Sequence, residues 1–307
     1  MIIMSRSGMA DKLEQSDFPR ITVVTPSYNQ GQFLDQTIRS VLDQNYPNLE
    51  YIICDGGSTD DSVEVIKKYE KQLAWWSSAK DKGQTDAINK GFRRATGDLL
   101  TWINSDDTLA PGSLMAAAQA FRQGHEWITG WAIFLEPDGG QWPQFPSRSI
   151  NRLDWFHFNP ICQQGTFWAS RITRDLGYFR EDMHFGFDYE FWMRMYLKGN
   201  VMPHIIGRCM GGYRLHESSK TVSQWEKFKI EFKALRQEYW HLLSPAEQKL
   251  AASRRRRWEA QQHYRFGWQA LKQGDVTKAR EHAKEAFRRN RTAIQSWRLM
   301  YCAMRGR

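Results

Sequence analysis

Residues 21–29 read Ile-Thr-Val-Val-Thr-Pro-Ser-Tyr-Asn, and this stretch begins the pattern that decides the fold. Its first five residues are apolar or β-branched, as in a fully buried strand, and Pro26 ends the run. Residues 33–42 then carry apolar side chains at helical spacing, and residues 49–54 repeat the strand pattern. Strands and helices go on alternating up to Ile103. The alternation predicts right-handed βαβ units and a parallel, doubly wound α/β sheet.

Charge divides the chain into regions of different character. From residue 225 onward there are 20 Lys or Arg and 8 Asp or Glu, a net charge of +12, whereas the preceding 224 residues carry a net charge of −3. With 307 residues, of which 41% are hydrophobic, the chain is long enough for one sizeable core and an appendage. We predict a flexible N-terminus at 1–18, an α/β domain at 19–222 and a basic helical extension at 223–307.

Cysteine usage and hydropathy predict a cytoplasmic protein. No apolar run approaches the ~18–20 residues needed to span a bilayer, and residues 1–18 lack the apolar segment of a signal peptide. The four cysteines are far apart and form no Cys-x-x-Cys pair, which argues against disulfides or a zinc site. The basic extension is either a solvated helical surface or a contact with anionic lipid, which would place the protein on the inner face of the membrane.

Polar side chains follow three of the predicted strands, at the points where these strands end. They occupy residues 25–29, 55–58 and 104–107. In an open parallel sheet, ligands bind at the carboxyl ends of the strands. A carboxylate there can accept the imide N–H of uracil, an aromatic ring can stack on the base, and two carboxylates can bind a divalent ion on the phosphates. The sequence therefore indicates a nucleotide diphosphate site.

Each of these segments also has a structural interpretation. Asp55 precedes two glycines and could form a turn, and the pair Asp106 and Asp107 could cap a helix that begins near Pro111. One such segment alone is more often structural than functional. Three of them, after successive strands of one sheet, favour a functional site.

Six short motifs in the first third of the chain match the pattern of a known family. They are Thr-Pro-Ser-Tyr-Asn at 25–29, Ser-Val-Leu-Asp-Gln at 40–44, Asp-Gly-Gly-Ser-Thr-Asp at 55–60, Asp-Lys-Gly-Gln-Thr-Asp-Ala-Ile-Asn-Lys-Gly at 81–91, Ala-Thr-Gly-Asp at 95–98 and Asn-Ser-Asp-Asp at 104–107. The chain thereby resembles the family-2 glycosyltransferases. The resemblance implies a GT-A fold, a Rossmann-like and mostly parallel α/β sheet with helices on both faces, followed here by an all-helical extension.

The same resemblance implies a donor site and a metal. It assigns nucleotide contacts to Thr25, Pro26, Tyr28, Asp55, Asp81, Gln84 and Asp106. It also implies that Mn²⁺ or Mg²⁺ binds at the pair Asp106 and Asp107, with Asp107 as the direct ligand. The pair stands in a Ser-Asp-Asp sequence where the family has Asp-x-Asp, so the division of roles between the two carboxylates stays open.

A weaker resemblance continues to about residue 221 and implies an acceptor side. Residues 187–194 resemble the start of a family helix in which the catalytic base falls on Asp188, although Phe187 stands where the family has Glu. Capping of that helix is the structural alternative for Asp188. Tyr-Arg-Leu-His at 213–216 resembles a motif whose histidine, His216, reaches the metal or the diphosphate. Candidates for contact with the donor or acceptor sugar are Gln164, Trp168 and Glu190, and Glu190 is also the candidate for the base in place of Asp188.

Residues 263–290 predict a helical hairpin that resembles one tetratricopeptide-type unit. Small residues occupy its close-packing positions, and Gly274-Asp275 forms the turn. One such unit cannot bury its own apolar face, so it packs on the neighbouring helices, on the α/β domain or on a second chain in a homodimer.

These features predict a metal-dependent, inverting glycosyltransferase that uses Asp188 as its base. The donor is a nucleotide sugar, which the family resemblance implies to be a UDP-sugar, and the acceptor is a glycan or a lipid-linked glycan. A sugar nucleotidyltransferase is the first alternative, but residues 27–31 do not form the Gly-rich phosphate loop that it needs. A non-enzymatic scaffold or a nucleic-acid binder is the second, and the sequence contains no recognised nucleic-acid motif.

Overall fold

A computed structural model of the chain describes residues 18–136, 138–146, 150–217 and 219–306. Within them the chain divides into two compact units, one comprising the described residues up to 146 together with 161–232, and the other comprising 150–160 and 233–306. The predicted flexible N-terminus lies outside the described residues apart from Phe18. The first unit extends past the predicted boundary at residue 222, and the division into functional domains stays a prediction.

Nine strands of the described residues form one sheet in the first unit, in the order β3-β2-β1-β4-β8-β6-β9-β5, with β7 paired to β6. The strands are β1 (Ile21–Ser27), β2 (Leu49–Asp55), β3 (Trp75–Ser78), β4 (Leu99–Trp102), β5 (Thr108–Leu109), β6 (Trp127–Leu135), β7 (Gln141–Gln144), β8 (Thr166–Ala169) and β9 (His204–Arg214). Strands β1 to β4 pair in parallel, which confirms the predicted βαβ start. Beyond β4 the sheet is mixed, because β8 is antiparallel to both β4 and β6, whereas β9 is parallel to β6.

Up to β4, helices connect these strands in the order that the apolar spacing predicts, and further helices follow in the rest of the chain. They are α1 (Gly31–Leu42), α2 (Ser62–Lys68), α3 (Gln84–Arg94), α4 (Ser113–Arg122), α5 (Ser170–Leu176), α6 (Phe187–Leu197), α7 (Lys220–Ser223) and α8 (Trp225–Glu238), with short 3₁₀ turns at Glu70–Gln72 and Gln163–Gly165. After β3 the chain returns to the other side of β1, so the strand order reverses there. Such a reversal opens a crevice at the carboxyl ends of the strands, where ligands bind.

Two groups of apolar side chains make up the core of the first unit. Aliphatic residues of β1, β2 and β4 pack on the buried face of α1, which is formed by Leu34, Ile38 and Val41. Large aromatic rings pack around β4, and Trp102 contacts Trp192 at a centroid distance of 5.9 Å. Fully burying one such side chain contributes roughly 1.5–3 kcal/mol, so both groups hold the strand ends rigidly in place.

The second unit is helical, as predicted. It comprises a 3₁₀ turn at Asp154–Phe156, the end of α8, a second turn at Tyr239–Leu242, and the helices α9 (Pro245–Lys272), α10 (Val276–Arg289) and α11 (Ile294–Arg305). Ser244 and Glu247 form a capping box at the start of α9. Gly274, at a φ of +78°, allows the tight turn into α10. The predicted helical hairpin is therefore present.

Small residues let the three long helices of this unit approach closely. Ala279 and Ala283 are fully buried beside Leu299 and Ala303 of α11. A Cβ atom at Gly267 would lie 2.6 Å from the side chain of Leu299, so any larger residue there would force Leu299 to shift. In the part of the chain that the structure describes, no helix is both long and apolar enough to cross a bilayer.

Candidate active site

The loops after β1 and β2 are tied together by hydrogen bonds. The backbone N–H of Asn29 donates to the Ser58 hydroxyl (2.8 Å), and the N–H of Thr59 donates to the Asn29 side chain (2.8 Å). The N–H of Gly31, at the start of α1, donates to a carboxylate oxygen of Asp60 at 2.9 Å. The two polar segments therefore form one surface, as their positions at strand ends predict.

Asp55 forms the turn after β2. Its Oδ2 accepts hydrogen bonds from the N–H groups of Gly57 (3.1 Å) and Ser58 (2.9 Å) and from the Ser78 hydroxyl (2.6 Å). The carboxylate is almost fully buried. Its structural role is thus clear, and its contact with a nucleotide base stays a prediction.

The residues predicted for the nucleotide at the end of β1 differ in their accessibility. The Thr25 side chain is fully buried and hydrogen bonds with the Tyr51 hydroxyl at 3.0 Å. Pro26 is also buried and lies beside Cys54 in the sheet. Tyr28 is 61% exposed, so its ring is open to stacking by a base. The structure therefore brings Tyr28 to the surface and leaves the Thr25 side chain inside the sheet.

A second set of polar residues lies along the crevice beside β4. The Gln84 amide donates to the Asn104 side-chain oxygen at 2.7 Å and accepts from Lys220 Nζ at 2.9 Å. Asp81 lies close to the turn after β2, since a Cβ atom at Gly56 would be 2.7 Å from Asp81 Oδ2. The sequence analysis missed Lys220. The only indication of Lys220 in the sequence was its position, four residues after His216 at the start of a helix.

Asp107 is fully buried, and both of its oxygens accept hydrogen bonds. Oδ2 accepts from Gln164 Nε2 (3.0 Å) and Asn104 Nδ2 (3.2 Å), and Oδ1 accepts from the backbone N–H of Arg214 (3.0 Å). Burial, together with the charge of Asp106, raises the pKa of Asp107 well above its usual value. Gln164 is therefore placed at the carboxylate pair, as a support for Asp107.

Asp106 lies at the edge of the crevice and faces His216. Its Oδ2 is 3.0 Å from His216 Nε2, and both side chains are partly buried. The imidazole packs on Phe33 at a centroid distance of 4.8 Å. The interpretation of the carboxylate pair as a helix cap is wrong, because α4 begins after Gly112 without a side-chain cap.

The residues at this edge fit a hard divalent ion. Among the described residues, no three His, Cys, Asp or Glu side chains come together as a metal cluster. Mg²⁺ and Mn²⁺, however, commonly bind through one or two protein ligands and complete their coordination with phosphate oxygens and water. Asp106 with His216 supplies such a pair.

Asp188 lies in the first turn of α6 and is partly exposed. The helix begins after Gly186, so Asp188 is the second residue of its first turn and not its N-cap residue. A carboxylate in the first turn is favoured by the free N–H groups there, and this structural role is compatible with a catalytic one. Glu231 of α8 binds the preceding loop, where its carboxylate accepts from the backbone N–H groups of His184 (3.0 Å), Phe185 (2.9 Å) and Gly186 (2.8 Å). Nothing in the sequence indicated Glu231, which lies more than forty residues away in the chain.

Asp188, the predicted base, and the carboxylate pair Asp106 and Asp107 all act electrostatically on one side chain, that of Tyr213. Burial raises the pKa of Tyr213, and the negative charges of Asp107, Asp106 and Asp188 raise it further. The Tyr213 hydroxyl hydrogen bonds with that of Thr221 at 2.5 Å. The three carboxylates therefore share one neighbourhood.

Lys220 lies between Asp106 and the residues predicted to contact the nucleotide, Asp81 and Gln84. Desolvation lowers the pKa of Lys220, and the negative charges of Glu231, Asp106 and Asp81 oppose this shift. The ammonium group therefore lies within the field of carboxylates from α8, the loop after β4 and the loop before α3.

Two predicted sugar contacts do not face the crevice. The Trp168 ring is fully buried among aromatic side chains, and its indole N–H donates to Thr173 at 2.8 Å. Glu190 is buried and paired with Arg194 at 2.8 Å. Phe187 and Tyr189 are likewise buried core residues. Along the start of α6, one or two positions separate these buried residues from the partly exposed Asp188.

A family model described as Glycosyl transferase family 2 matches residues 22–177. A Mycobacterium tuberculosis protein described as an uncharacterized glycosyltransferase is 31% identical over 198 residues, which cover 62% of this chain and 73% of that one. A GalNAc(5)-diNAcBac-PP-undecaprenol beta-1,3-glucosyltransferase of Campylobacter jejuni is 25% identical over 138 residues and is aligned over 44% of its length, as is this chain. The chain therefore spans less than half of the second relative.

Solved structures share the fold. S. aureus TarS 1-349, in complex with UDP-GlcNAc, superposes with a TM-score of 0.61 at 18% identity, covering 94% of this chain and 88% of that chain. At this identity the likeness shows the fold alone. The predicted GT-A architecture and the helical C-terminal region are confirmed, and the second half of the sheet is mixed where a mostly parallel sheet was predicted.

Proposed function

Because the chain belongs to glycosyl transferase family 2, we propose that it moves a sugar from a nucleotide diphosphate sugar to a hydroxyl of a glycan or lipid-linked glycan. One observation carries this proposal: Asp106 pairs with His216, and Gln84 joins Lys220 to Asn104, in the crevice beside the end of β4. A donor carrying UDP is supported by the similarity to TarS, whose complex contains UDP-GlcNAc. A lipid-linked acceptor is supported by the undecaprenol-linked substrate in the name of the Campylobacter relative.

On the donor side, Asp106 and His216 would hold Mn²⁺ or Mg²⁺. This assignment reverses the predicted roles of the two carboxylates, since Asp107 is buried with both oxygens engaged and Asp106 is accessible. A divalent ion bound there supplies positive charge that stabilises the leaving diphosphate. Asp107 then fixes the loop that carries Asp106, and the Lys220 ammonium adds a second positive charge for the phosphates.

On the acceptor side, Asp188 accepts the proton of the attacking hydroxyl. A hydroxyl attacks an anomeric carbon poorly unless its proton leaves as the new bond forms, so the base must approach from the side opposite the diphosphate. Asp188 belongs to α6, a different element from the loop that carries Asp106. We therefore propose a single displacement that inverts the anomeric configuration of the sugar.

The proposal also includes a position at the cytoplasmic face of a membrane. A lipid-linked acceptor would present its sugar there, and the excess of basic residues in the second unit is attracted to anionic lipid. A homodimer stays a prediction.

The experiment that tests the proposed function measures UDP release from a panel of UDP-sugars, with and without Mn²⁺. A true donor at ~100 times its Kd should also stabilise the protein by about 2.7 kcal/mol in a thermal-shift assay. EDTA should abolish turnover and Mn²⁺ should restore it. Full activity in chelator would contradict the metal assignment, and the absence of both shift and turnover for all nucleotide sugars would contradict the function.

A further inference from the structure

The last described helix, α11, carries a row of large apolar residues on its outer face. Ile294 is 82% exposed, Trp297 56%, Tyr301 55% and Met304 69%. These residues recur at spacings of three, four and three, so they line one side of the helix. This row, called here the α11 stripe, is larger than the isolated apolar residues that a soluble surface normally shows.

The opposite face of α11 accounts for its packing within the second unit. Leu299 and Ala303 are fully buried against the hairpin of α9 and α10, and Ser296 is almost fully buried. The helix is therefore held by its inner face, and the α11 stripe is not needed to complete the core. Its outer position is supported by Phe287, which packs on Trp297 at a centroid distance of 4.6 Å.

The charged residues of α11 and of the segment that leads into it have one sign. Exposed arginines stand at positions 291, 298 and 305, one in each heptad, and the sequence contains no Asp or Glu after Glu285. On α11 itself, Arg298 and Arg305 adjoin the apolar row along the helix surface. An amphipathic helix with Trp and Tyr on one face and arginine beside it is typical of a helix that lies in the interface of an anionic bilayer.

The arginine clusters at 254–257 and 288–291 form ion pairs inside the second unit. Arg254 pairs with Asp154 at 3.7 Å, and Arg255 pairs with Glu259 at 2.8 Å. Arg289 pairs with Glu259 at 3.2 Å. Much of the charge in the clusters at 254–257 and 288–291 is therefore engaged within the fold, and the arginines of α11 lie beside exposed apolar surface instead.

We propose that the α11 stripe docks this protein onto a membrane surface that contains anionic lipid. Trp297, Tyr301, Ile294 and Met304 would enter the headgroup region, while Arg298 and Arg305 would contact lipid phosphates. The inference rests on the proposed function and deepens it. A lipid-linked acceptor would be anchored in the same membrane to which the α11 stripe binds. The complementarity between a stripe without carboxylates and an anionic surface selects lipid as the occupant.

Vesicle flotation of the full chain tests the proposal without any sugar donor. Vesicles of phosphatidylcholine with phosphatidylglycerol should bind the protein, and vesicles of phosphatidylcholine alone should bind it far less. Ile294→Gln with Met304→Gln should lower the partition coefficient about tenfold or more, because both side chains would otherwise enter the apolar phase. Arg298→Gln should lower it about fivefold at low salt and less at high salt.

Matched controls come from exposed residues of α9. Leu250→Gln removes an exposed apolar side chain, and Arg265→Gln removes an exposed charge, both outside the α11 stripe; neither should change vesicle binding. The proposal is overturned if the protein ignores anionic vesicles at low salt, or if the Leu250 control loses as much binding as the stripe variants. It is also overturned if the stripe variants abolish only self-association in sedimentation, which would identify a second copy as the occupant. UDP release in solution is measured separately, so its loss would contradict the proposed function and not this docking.

Discussion

The proposed donor side and the proposed acceptor side of the crevice are held in different ways. On the donor side, Asp107 is bound by Asn104, Gln164 and the backbone of Arg214, so three separate segments of the sheet converge on one carboxylate. On the acceptor side, the loop before Asp188 is held by one carboxylate, Glu231, from a helix outside the predicted catalytic domain. The comparison teaches that the donor side is built into the sheet, whereas the acceptor side depends on α8.

The largest expected effect is on the acceptor side. Asp188→Asn keeps the size of the side chain but removes the base, so kcat should fall ~10²–10⁴-fold. Affinity for UDP should stay nearly unchanged, because the donor side does not rely on Asp188. Kinetics of UDP release and NMR of the product anomer are the measurements.

Asp182→Asn is the matched control, since Asp182 lies in the same loop and is exposed and paired with Arg180. It should leave kcat unchanged. A retained anomeric configuration, or near-normal kcat in Asp188→Asn, would contradict the assigned base.

The next effect is on the donor side. Asp106→Asn should raise the Mn²⁺ concentration needed for half-maximal UDP release by ~10–100-fold, as expected when a metal site loses one of its protein groups. His216→Ala should act in the same direction. Asp43→Asn, at an exposed position after α1, is the control. If Asp107→Asn changed the metal response and Asp106→Asn did not, the predicted order of roles would be restored.

A smaller effect is expected from Glu231, which anchors the loop before α6. Glu231→Gln leaves one acceptor oxygen for three backbone N–H groups, and each charge-assisted hydrogen bond contributes about 1.5–3 kcal/mol. We expect kcat to fall on the order of tenfold with the Mn²⁺ response unchanged. Glu226→Gln, exposed on the same helix, should have no effect. An equal loss of metal response would show that Glu231 acts on the whole fold and not on the acceptor loop.

The smallest effect is expected at Lys220. Lys220→Met should raise the KM for the nucleotide sugar about tenfold or less, since it removes one charged contact with the diphosphate. Lys229→Met, which alters an exposed lysine paired with Glu226, is the control. An unchanged KM together with a lower kcat would move Lys220 from donor binding to stabilisation of the leaving group.

The boundary between the two parts of the chain shows what charge and helical periodicity leave open. Charge and helical periodicity placed the extension at residue 223, because both properties change there. In the structure, Phe232 of α8 packs on Tyr189 at a centroid distance of 5.0 Å, and Glu231 binds the loop before α6. A chain ended at residue 222 would therefore lack contacts of the catalytic unit. Periodicity shows that a segment is helical, but not which surface it covers.

The sequence by itself determined the order of strands and helices up to β4, the polar segments at the strand ends and the helical hairpin. Local spacing and turn residues encode these features, because each depends on neighbours a few residues away. Only the tertiary structure decided that Asp106 faces His216, that Trp168 and Glu190 are buried, and that Glu231 anchors the loop before Asp188. The contact of Asp106 with His216 joins residues 110 positions apart, and that of Glu231 with Phe185 joins residues 46 positions apart. The burial of a side chain depends on every element that packs around it.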